Sequence, residues 1–362
     1  MKVLTVVGAR PQFIKASAIS RVLRKRHQEV LLHTGQHYDD NLSGVFFKEL
    51  EIPEPDYHLG VGSSSHGAQT GAMLSKIEAV LMVEKPDWVL VYGDTNSTLA
   101  GALAAAKLHL SLAHVESGLR SYNRQMPEEI NRVLTDHVSS LLLCPSQTAV
   151  RNLAREGITT GVHEVGDVMA DALLYASGKS SRQSEILSRL GLKPRGFLLV
   201  TVHRAENTED TSRLAAIIGA LKTLADDEPV VFPVHPRTRK ALESLGLMNT
   251  DSNRAFEGDN LKLTAPVGYL DMVMLEQSAR IILTDSGGIQ KEAYWLGRPC
   301  ITLRDETEWT ETVEAKWNVL VGSNAARIKE AVRSFALPTS KPSWCEHPGA
   351  ASRCIALMEA GR

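Results

Sequence analysis

The chain has 362 residues, and at roughly 150 residues per domain this length predicts two domains. Its 40 Lys and Arg residues nearly balance its 42 Asp and Glu residues, so the formal net charge is -2. This balance excludes a protein whose main role is to coat nucleic acid or anionic lipid. Hydrophobic residues make up 43% and charged residues 23% of the chain, which excludes disorder over most of its length.

The cysteines and the apolar runs indicate where the protein resides. The four cysteines are widely spaced and form no CxxC pair: Cys144, Cys300, Cys345 and Cys354. We therefore expect neither a disulfide framework nor a structural zinc site, and a reducing compartment fits. The apolar runs fall short of the about 18 residues that a membrane helix needs, and the N-terminal run over 3–7 is broken by Gly8. We expect a soluble, cytoplasmic protein that makes no contact with a membrane or with nucleic acid.

Short apolar runs rich in Val and Leu alternate with longer helical patterns, which is typical of parallel α/β sheets with helices on both faces. The first half predicts buried strands at 3–7, 30–33, 88–92, 112–115 and 141–144. After a helical stretch, a second series follows at 197–202, 230–234, 280–284 and 300–303. We therefore expect two doubly wound, Rossmann-like domains with a boundary near residue 168. Ligands of such sheets bind beyond the carboxyl ends of the strands, so we expect an active-site cleft between the domains.

Polar residues follow the strands of the first half at the point where each strand ends. Arg10 and Lys15 flank the N-terminus of the first expected helix, and such a terminus attracts anions. Asp94 and Glu116 follow two further strands, and Glu128 lies in the first turn of a later helix. Asp94 and Glu128 have plain structural alternatives, as a helix cap and as a first-turn acid respectively. Together they supply the carboxylates that proton abstraction and donation require.

The second half carries a different set of polar residues. Paired glycines at 287–288 follow the strand over 280–284, where backbone N–H groups approach phosphate oxygens closely. Glu292 lies one turn further on, where a carboxylate accepts both hydroxyls of a ribose. The alternative is a glycine-rich turn chosen for packing. His203 and His235 each follow a strand and each lie near an arginine, which indicates a polyanionic ligand.

Seven motifs follow one another along residues 3–322: GARPQFIK, GDTNS, HVESGLRS, PEEINR, HRAEN, HPRT and TDSGGIQKEA. As a set they resemble the non-hydrolysing UDP-N-acetylglucosamine 2-epimerase family. The resemblance implies the GT-B architecture, with an N-terminal domain of residues 1–168 plus a C-terminal helix at about 350–362. The UDP-binding domain is then residues 169–349. The resemblance also implies a homodimer that converts UDP-GlcNAc reversibly to UDP-ManNAc for surface polysaccharides.

The same resemblance assigns roles to individual residues. We expect the catalytic residues to be Asp94, Glu116, Glu128 and His203. We expect the substrate-binding residues to be Arg10, Lys15, Arg132, His235, Ser286, Gly287, Gly288 and Glu292.

The chemistry of the sugar agrees with this assignment. The C2 proton of an N-acetylhexosamine has no adjacent carbonyl, and the dinucleotide fingerprint that oxidation by NAD requires is missing. Elimination of UDP across C1–C2, which gives a 2-acetamidoglucal, and re-addition on the opposite face need only cations and carboxylates. We therefore expect no metal and no cofactor.

One departure from the family pattern leaves the substrate open. Trp309 stands where many family members have an arginine near the ligand. A similar variant occurs in relatives that act on UDP-2,3-diacetamido-2,3-dideoxyglucuronate, so this carboxylated sugar is the alternative substrate. A hydrolysing epimerase that releases free ManNAc and a GT-B glycosyltransferase are further alternatives. A glycosyltransferase does not explain the three acids of the first domain.

Overall fold

The computed structural model describes residues 1–36, 49, 51–247, 260–338 and 348–361. The chain divides into two compact units, one of residues 1–174 with 347–362 and the other of residues 175–346. The division lies within the helix Val168–Gln183. None of the helices in the described part of the chain is long and apolar enough to cross a membrane.

The first unit is built on a parallel sheet of seven strands. They are β1 (Lys2–Val7), β2 (Gln28–His33), β3 (Tyr57–His58), β4 (Trp88–Tyr92), β5 (Ser111–Val115), β6 (Leu141–Cys144) and β7 (Val162–Glu164). Their order in space is β3-β2-β1-β4-β5-β6-β7. The chain order therefore reverses between β1 and β4, and the carboxyl ends of strands at such a reversal are where α/β sheets bind ligands.

The second unit has a parallel sheet of six strands. They are β8 (Leu198–Thr201), β9 (Val230–Pro233), β10 (Leu261–Thr264), β11 (Ile281–Thr284), β12 (Cys300–Thr302) and β13 (Asn318–Leu320). Their order in space is β10-β9-β8-β11-β12-β13, so the reversal lies between β8 and β11.

Helices connect the strands in both units. Those of the described residues are α1 (Arg10–Leu23), α2 (His66–Glu84), α3 (Asn96–Lys107), α4 (Pro127–Val138), α5 (Gln147–Arg155), α6 (Val168–Gln183), α7 (Ile186–Leu190), α8 (Ala205–Thr208), α9 (Thr211–Ala225), α10 (Pro236–Ser244), α11 (Tyr269–Ser278), α12 (Gly287–Trp295), α13 (Thr310–Glu314), α14 (Ala325–Ser334) and α15 (Ala350–Ala360).

The predicted strands agree with the observed ones to within two residues at each end. The interior strands β1, β4 and β8 are buried along nearly their whole length, and such strands read as continuous apolar runs. The four strands that the prediction missed are β3, β7, β10 and β13. They are the edge strands of the two sheets, and each carries partly exposed side chains that interrupt the apolar run.

The C-terminal helix α15 packs within the first unit. Its residues Ile355 and Met358 are fully buried, and the Met358 carbonyl accepts a hydrogen bond of 3.1 Å from the indole of Trp88. The carboxylate of Asp171 accepts hydrogen bonds from the backbone of Gly349 and Ala351 at 2.7 and 2.8 Å, which caps the helix.

Three of the cysteines are buried free thiols: Cys144, Cys300 and Cys354. The fourth, Cys345, lies outside the described residues.

Candidate active-site residues of each unit

The turn that follows β1 is held by the buried side chain of Gln12. Its Oε1 accepts hydrogen bonds from the backbone of Gly8 and Ala9 at 2.8 and 3.0 Å. Its Nε2 donates to the Tyr92 carbonyl and to the Thr98 hydroxyl, both at 2.9 Å. Gln12 therefore joins the carboxyl ends of β1 and β4, the two strands at the reversal, and three of its four hydrogen bonds hold backbone groups there.

An ion pair between Lys15 and Glu116 lies beside this turn, with both side chains mostly buried. Burial alone would lower the pKa of Lys15, but Glu116, Asp94 and Asp167 together raise it above its usual value. A Cβ atom on Gly93 would lie 3.2 Å from the Glu116 carboxylate and 3.4 Å from the Lys15 ammonium. Glycine at position 93 therefore leaves room for the pair.

The backbone of Glu116 adopts a left-handed conformation, with φ at 70°. Residues other than glycine rarely adopt this region, and holding one there costs about 1–3 kcal/mol. Glu116 is the first residue after β5, and its N–H donates to the Leu143 carbonyl on β6 at 3.0 Å. The strain turns the side chain of Glu116 toward Lys15, and strain of this kind concentrates at functional sites.

Asp94 and Arg132 form the second ion pair of this unit. Arg132 donates to Asp94 at 2.5 Å and to Glu129 at 2.9 Å. Burial alone would lower the pKa of Arg132, but these two acids raise it. Glu129 is buried and also accepts hydrogen bonds from the backbone of Ser121 and Tyr122 at 2.9 and 2.8 Å, so it orders the segment before α4.

The side chain of Glu128 differs from that of its neighbour Glu129. It is exposed and makes no hydrogen bond or ion pair with the residues that the structure describes. The structure therefore joins Asp94, Glu116, Lys15 and Arg132 in one group and leaves the Glu128 side chain outside its contacts.

A buried charged chain lies behind this group. His114 on β5 directs Nε2 to the Gly93 carbonyl at 2.8 Å and Nδ1 to the Asp136 carboxylate at 2.7 Å. Both ring nitrogens of His114 are therefore engaged inside the protein. Asp136 also accepts from Arg120 at 2.7 Å, and Arg120 forms a bidentate pair with Glu156 at 2.7 Å. Through the Gly93 carbonyl, this chain holds the turn that carries Asp94.

Burial alone would raise the pKa of Asp136. His114 and Arg120 outweigh this effect, so the pKa of Asp136 lies below its usual value. Asp136 is therefore ionised at neutral pH and balances the charge of Arg120.

In the second unit a buried aspartate, Asp285, organises the equivalent reversal between β8 and β11. It accepts hydrogen bonds from the backbone of His203 and Arg204 at 3.0 Å and from the side chain of Asn207 at 3.1 Å. Its carboxylate also lies 3.1 Å from Nδ1 of His203. Burial alone would raise the pKa of Asp285, but these donors lower it. The contact leaves Nε2 of His203 for other partners.

The N-terminus of α12 lies directly after Asp285. The Ser286 hydroxyl caps the helix by accepting from Ile289 N at 3.5 Å. A Cβ atom on Gly287 would lie 2.6 Å from the Glu308 carboxylate and 3.1 Å from the Trp309 indole nitrogen, so a side chain at position 287 would require Glu308 to move. Gly288 is exposed and has room for a Cβ. Free backbone N–H groups at such a terminus bind anions.

The remaining predicted residues of this unit lie nearby. The rings of His203 and His235 are 5.6 Å apart, and Nδ1 of His235 accepts from Arg237 N at 3.2 Å to cap α10. Glu292 lies on α12, half-buried, and together with burial it raises the pKa of the fully buried Glu276 on α11.

Arg10 begins α1, but its side chain lies outside the described residues.

Sequence reasoning did not select Gln12, His114, Asp136 or Asp285 as site residues. A buried polar side chain beside a strand end was the available signal for them. Over the described ranges, no three His, Cys, Asp or Glu side chains are placed to hold a metal ion.

Comparison with known proteins bears on both units. A family model described as UDP-N-acetylglucosamine 2-epimerase matches residues 21–348. A UDP-N-acetylglucosamine 2-epimerase homolog of Methanococcus maripaludis is 55% identical to this chain, over 92% of each chain. The UDP-2,3-diacetamido-2,3-dideoxy-D-glucuronate 2-epimerase of Pseudomonas aeruginosa is 50% identical, also over 92% of each.

A solved structure of the Methanocaldococcus jannaschii UDP-GlcNAc 2-epimerase, in complex with UDP-GlcNAc and UDP, superposes with a TM-score of 0.81 at 42% identity. It covers all of both chains.

Two parallel α/β units, each with charged residues at its strand reversal, define an α/β enzyme of the nucleotide-sugar type with a GT-B-like fold. The chain belongs to the UDP-N-acetylglucosamine 2-epimerase family, and it is an epimerase. The fold class and the family expected from the motifs are confirmed.

The buried position of Asp136 predicts a pH-dependent loss of stability in Asp136→Asn. Removing one partner of a buried charged network lowers the free energy of unfolding by about 3–5 kcal/mol at pH 7. Because the folded-state pKa is lowered, the stabilisation is complete above the usual value of about 4 and is lost as the pH falls further. Urea unfolding at several pH values should therefore show a difference between wild type and variant that shrinks below about pH 4.

The control is Glu164→Gln, which changes an exposed acid of the same unit. It should leave the unfolding free energy unchanged at every pH. Equal stability of wild type and Asp136→Asn at pH 7, or a difference that does not vary with pH, would contradict the ionised network.

Proposed function

We propose that this protein interconverts UDP-GlcNAc and UDP-ManNAc by eliminating UDP across C1–C2 and adding it back to C1, with the proton returning to C2 on the opposite face. In the first step a base removes the C2 proton, the C1–O bond breaks, and UDP leaves with the bonding electrons. The product is 2-acetamidoglucal. In the second step UDP adds to C1, and a proton reaches C2 from the other side. One observation carries this proposal: Lys15, Glu116, Asp94 and Arg132 form one group at the strand reversal of the first unit.

The carboxylates of this group suit proton transfer at C2. Glu116 pairs with Lys15 and Asp94 pairs with Arg132, and a carboxylate is the form that a general base requires. Glu128 is exposed and makes no hydrogen bond or ion pair with a described residue, so its side chain is available for a substrate. We propose that Asp94, Glu116 and Glu128 remove and return the C2 proton on the two faces of the sugar.

The second unit supplies groups for the nucleotide. Backbone N–H groups at Gly287 and Gly288 and the hydroxyl of Ser286 suit phosphate oxygens. His203, oriented by Asp285, suits the departing diphosphate as a proton donor.

Three more residues complete the proposed substrate-binding set. We propose that Glu292 binds the ribose hydroxyls and that His235 and Arg10 bind the diphosphate. The complex of the Methanocaldococcus jannaschii relative with UDP-GlcNAc and UDP supports a UDP-sugar as the ligand.

A second substrate has a specific observation in its favour. The Pseudomonas aeruginosa relative, at 50% identity, is named for UDP-2,3-diacetamido-2,3-dideoxy-D-glucuronate. Trp309 occupies a position beside Gly287, where the common arginine of the family would stand. The same elimination applies to this sugar, because its C2 also carries an acetamido group beside C1.

Proton NMR with purified protein and either UDP-sugar tests the proposal directly. We expect a new anomeric signal of UDP-ManNAc from UDP-GlcNAc, with heat-denatured protein as the control. Conversion of the diacetamido uronic acid sugar alone would favour the second substrate. Release of free ManNAc would mean a hydrolysing enzyme, and no change with either sugar would contradict both candidates.

We also propose that the protein is a homodimer and that it acts in the cytoplasm. Three apolar side chains spaced four residues apart lie exposed on and before α4: Met126 at 37%, Ile130 at 48% and Leu134 at 44%. A second copy would cover them. The free thiols of the described cysteines suit a reducing compartment.

Sedimentation equilibrium tests the dimer. We expect twice the chain mass of 39.6 kDa for wild type and the mass of one chain for Ile130→Lys combined with Leu134→Lys. Met82→Lys, an exposed apolar residue on α2, is the control and should remain a dimer. A wild-type protein of 39.6 kDa would contradict the proposal.

A further inference from the structure

The indole of Trp309 carries a polar group that the described part of the chain leaves without a partner. Its Nε1 is buried and makes no hydrogen bond with a described residue. It lies 3.1 Å from the position that a Cβ on Gly287 would occupy, so it faces the N-terminus of α12. An indole nitrogen only donates, and a buried donor without an acceptor is unfavourable. The position therefore calls for an acceptor that a ligand brings.

The side chain of Lys291 packs against the ring of Trp309. The Lys291 ammonium lies 4.1 Å from the centroid of the Trp309 ring and 5.0 Å from that of Trp295. Lys291 is itself buried. A cation over an indole face is attracted by the ring, and the attraction is stronger where water is excluded. This stacking fixes the direction of the N–H. It also places the positive charge of Lys291 beside the ring whose N–H faces the N-terminus of α12.

A carboxylate also lies at the N-terminus of α12, but it does not accept a hydrogen bond from this indole. The carboxylate of Glu308 lies 2.6 Å from the same Cβ position on Gly287. It pairs with Arg304 at 2.8 Å and with Arg204 at 3.7 Å. Burial alone would raise the pKa of Glu308, but its backbone hydrogen bond and Arg304 lower it, so it is ionised. Its side chain is 47% exposed and therefore has room to turn away.

We propose that Trp309 binds the diphosphate of the substrate, with its indole N–H donating to a phosphate oxygen that replaces the Glu308 carboxylate at the N-terminus of α12. This inference rests on the proposed function, which assigns Ser286 and Gly287 to UDP. The phosphate offers the same negative charge as the carboxylate and more acceptor oxygens, so it satisfies both the helix terminus and the indole. Trp309 contributes a neutral hydrogen-bond donor, and Lys291, which packs against its ring, contributes the positive charge.

Titration calorimetry of Trp309→Phe with UDP and with uridine tests the proposal. The variant keeps an aromatic ring beside Lys291 and removes the N–H together with one of the two fused rings, a loss that the Trp295→Phe control shares. We expect the Kd for UDP to rise about 10- to 100-fold, as for a lost hydrogen bond to a charged group. The Kd for uridine, which lacks phosphates, should stay within about twofold. Trp295→Phe, which removes the other indole N–H beside Lys291, is the matched control and should bind UDP like wild type.

The outcomes separate this inference from the proposed function. Unchanged UDP binding in Trp309→Phe, or equal weakening for UDP and uridine, would overturn the role of the N–H, while NMR of the products still tests epimerisation. A wild-type protein that binds no UDP would overturn both proposals.

A spectroscopic measurement reads the hydrogen bond itself. In protein with ¹⁵N-labelled tryptophan, the indole signal that is missing in Trp309→Phe belongs to Trp309. We expect it to move downfield with saturating UDP and to stay in place with uridine. A signal that UDP leaves unmoved would contradict the proposal, whatever the affinity of the variant.

The displacement of Glu308 has its own variant. Glu308→Gln removes the charge that competes with the phosphate, so we expect the Kd for UDP to fall about two- to fivefold. Weaker UDP binding in Glu308→Gln would mean that Glu308 assists the ligand, and this part of the proposal would be wrong.

Discussion

The ion pair between Lys15 and Glu116 is the contact on which the first unit's site depends. It joins the helix after β1 to the residue after β5, and it requires a left-handed backbone at Glu116 and a glycine at position 93. Strain at Glu116 persists only because the surrounding structure holds it. Gln12 fixes the neighbouring turn, and His114 fixes the Gly93 carbonyl. The backbone turn that carries Asp94 is therefore held by buried neighbours, and the side chains of Asp94 and Glu116 are held by their ion pairs.

In each unit a buried aspartate holds the residues around the strand reversal. Asp136 in the first unit and Asp285 in the second each accept hydrogen bonds from a histidine and from backbone N–H groups. In each case these donors outweigh burial and keep the carboxylate ionised. The consequence differs: Asp136 holds both nitrogens of His114 inside a closed network, whereas Asp285 contacts His203 at one nitrogen. We therefore infer a structural role for His114 and a chemical role for His203.

Much of the fold followed from the sequence, because interior parallel strands are continuous apolar runs. The edge strands β3 and β10 were missed, since partly exposed side chains interrupt their pattern. The strand-end rule found Asp94, Glu116 and Ser286 because it depends only on local order along the chain. It did not find Gln12 or Asp285, whose roles come from partners about 80 residues away. Likewise, the sequence does not distinguish the buried Glu129 from the exposed Glu128.

The central claim is that carboxylates of the first unit remove and return the C2 proton, and solvent exchange tests it. With UDP-GlcNAc in D₂O, we predict that deuterium replaces the C2 proton in both epimers. We predict that Asp94→Asn, Glu116→Gln and Glu128→Gln each slow this exchange about 10²–10⁴-fold, with Glu164→Gln as an unaffected control. Epimerisation that keeps the original C2 proton, or exchange at the wild-type rate in all three variants, would contradict the account.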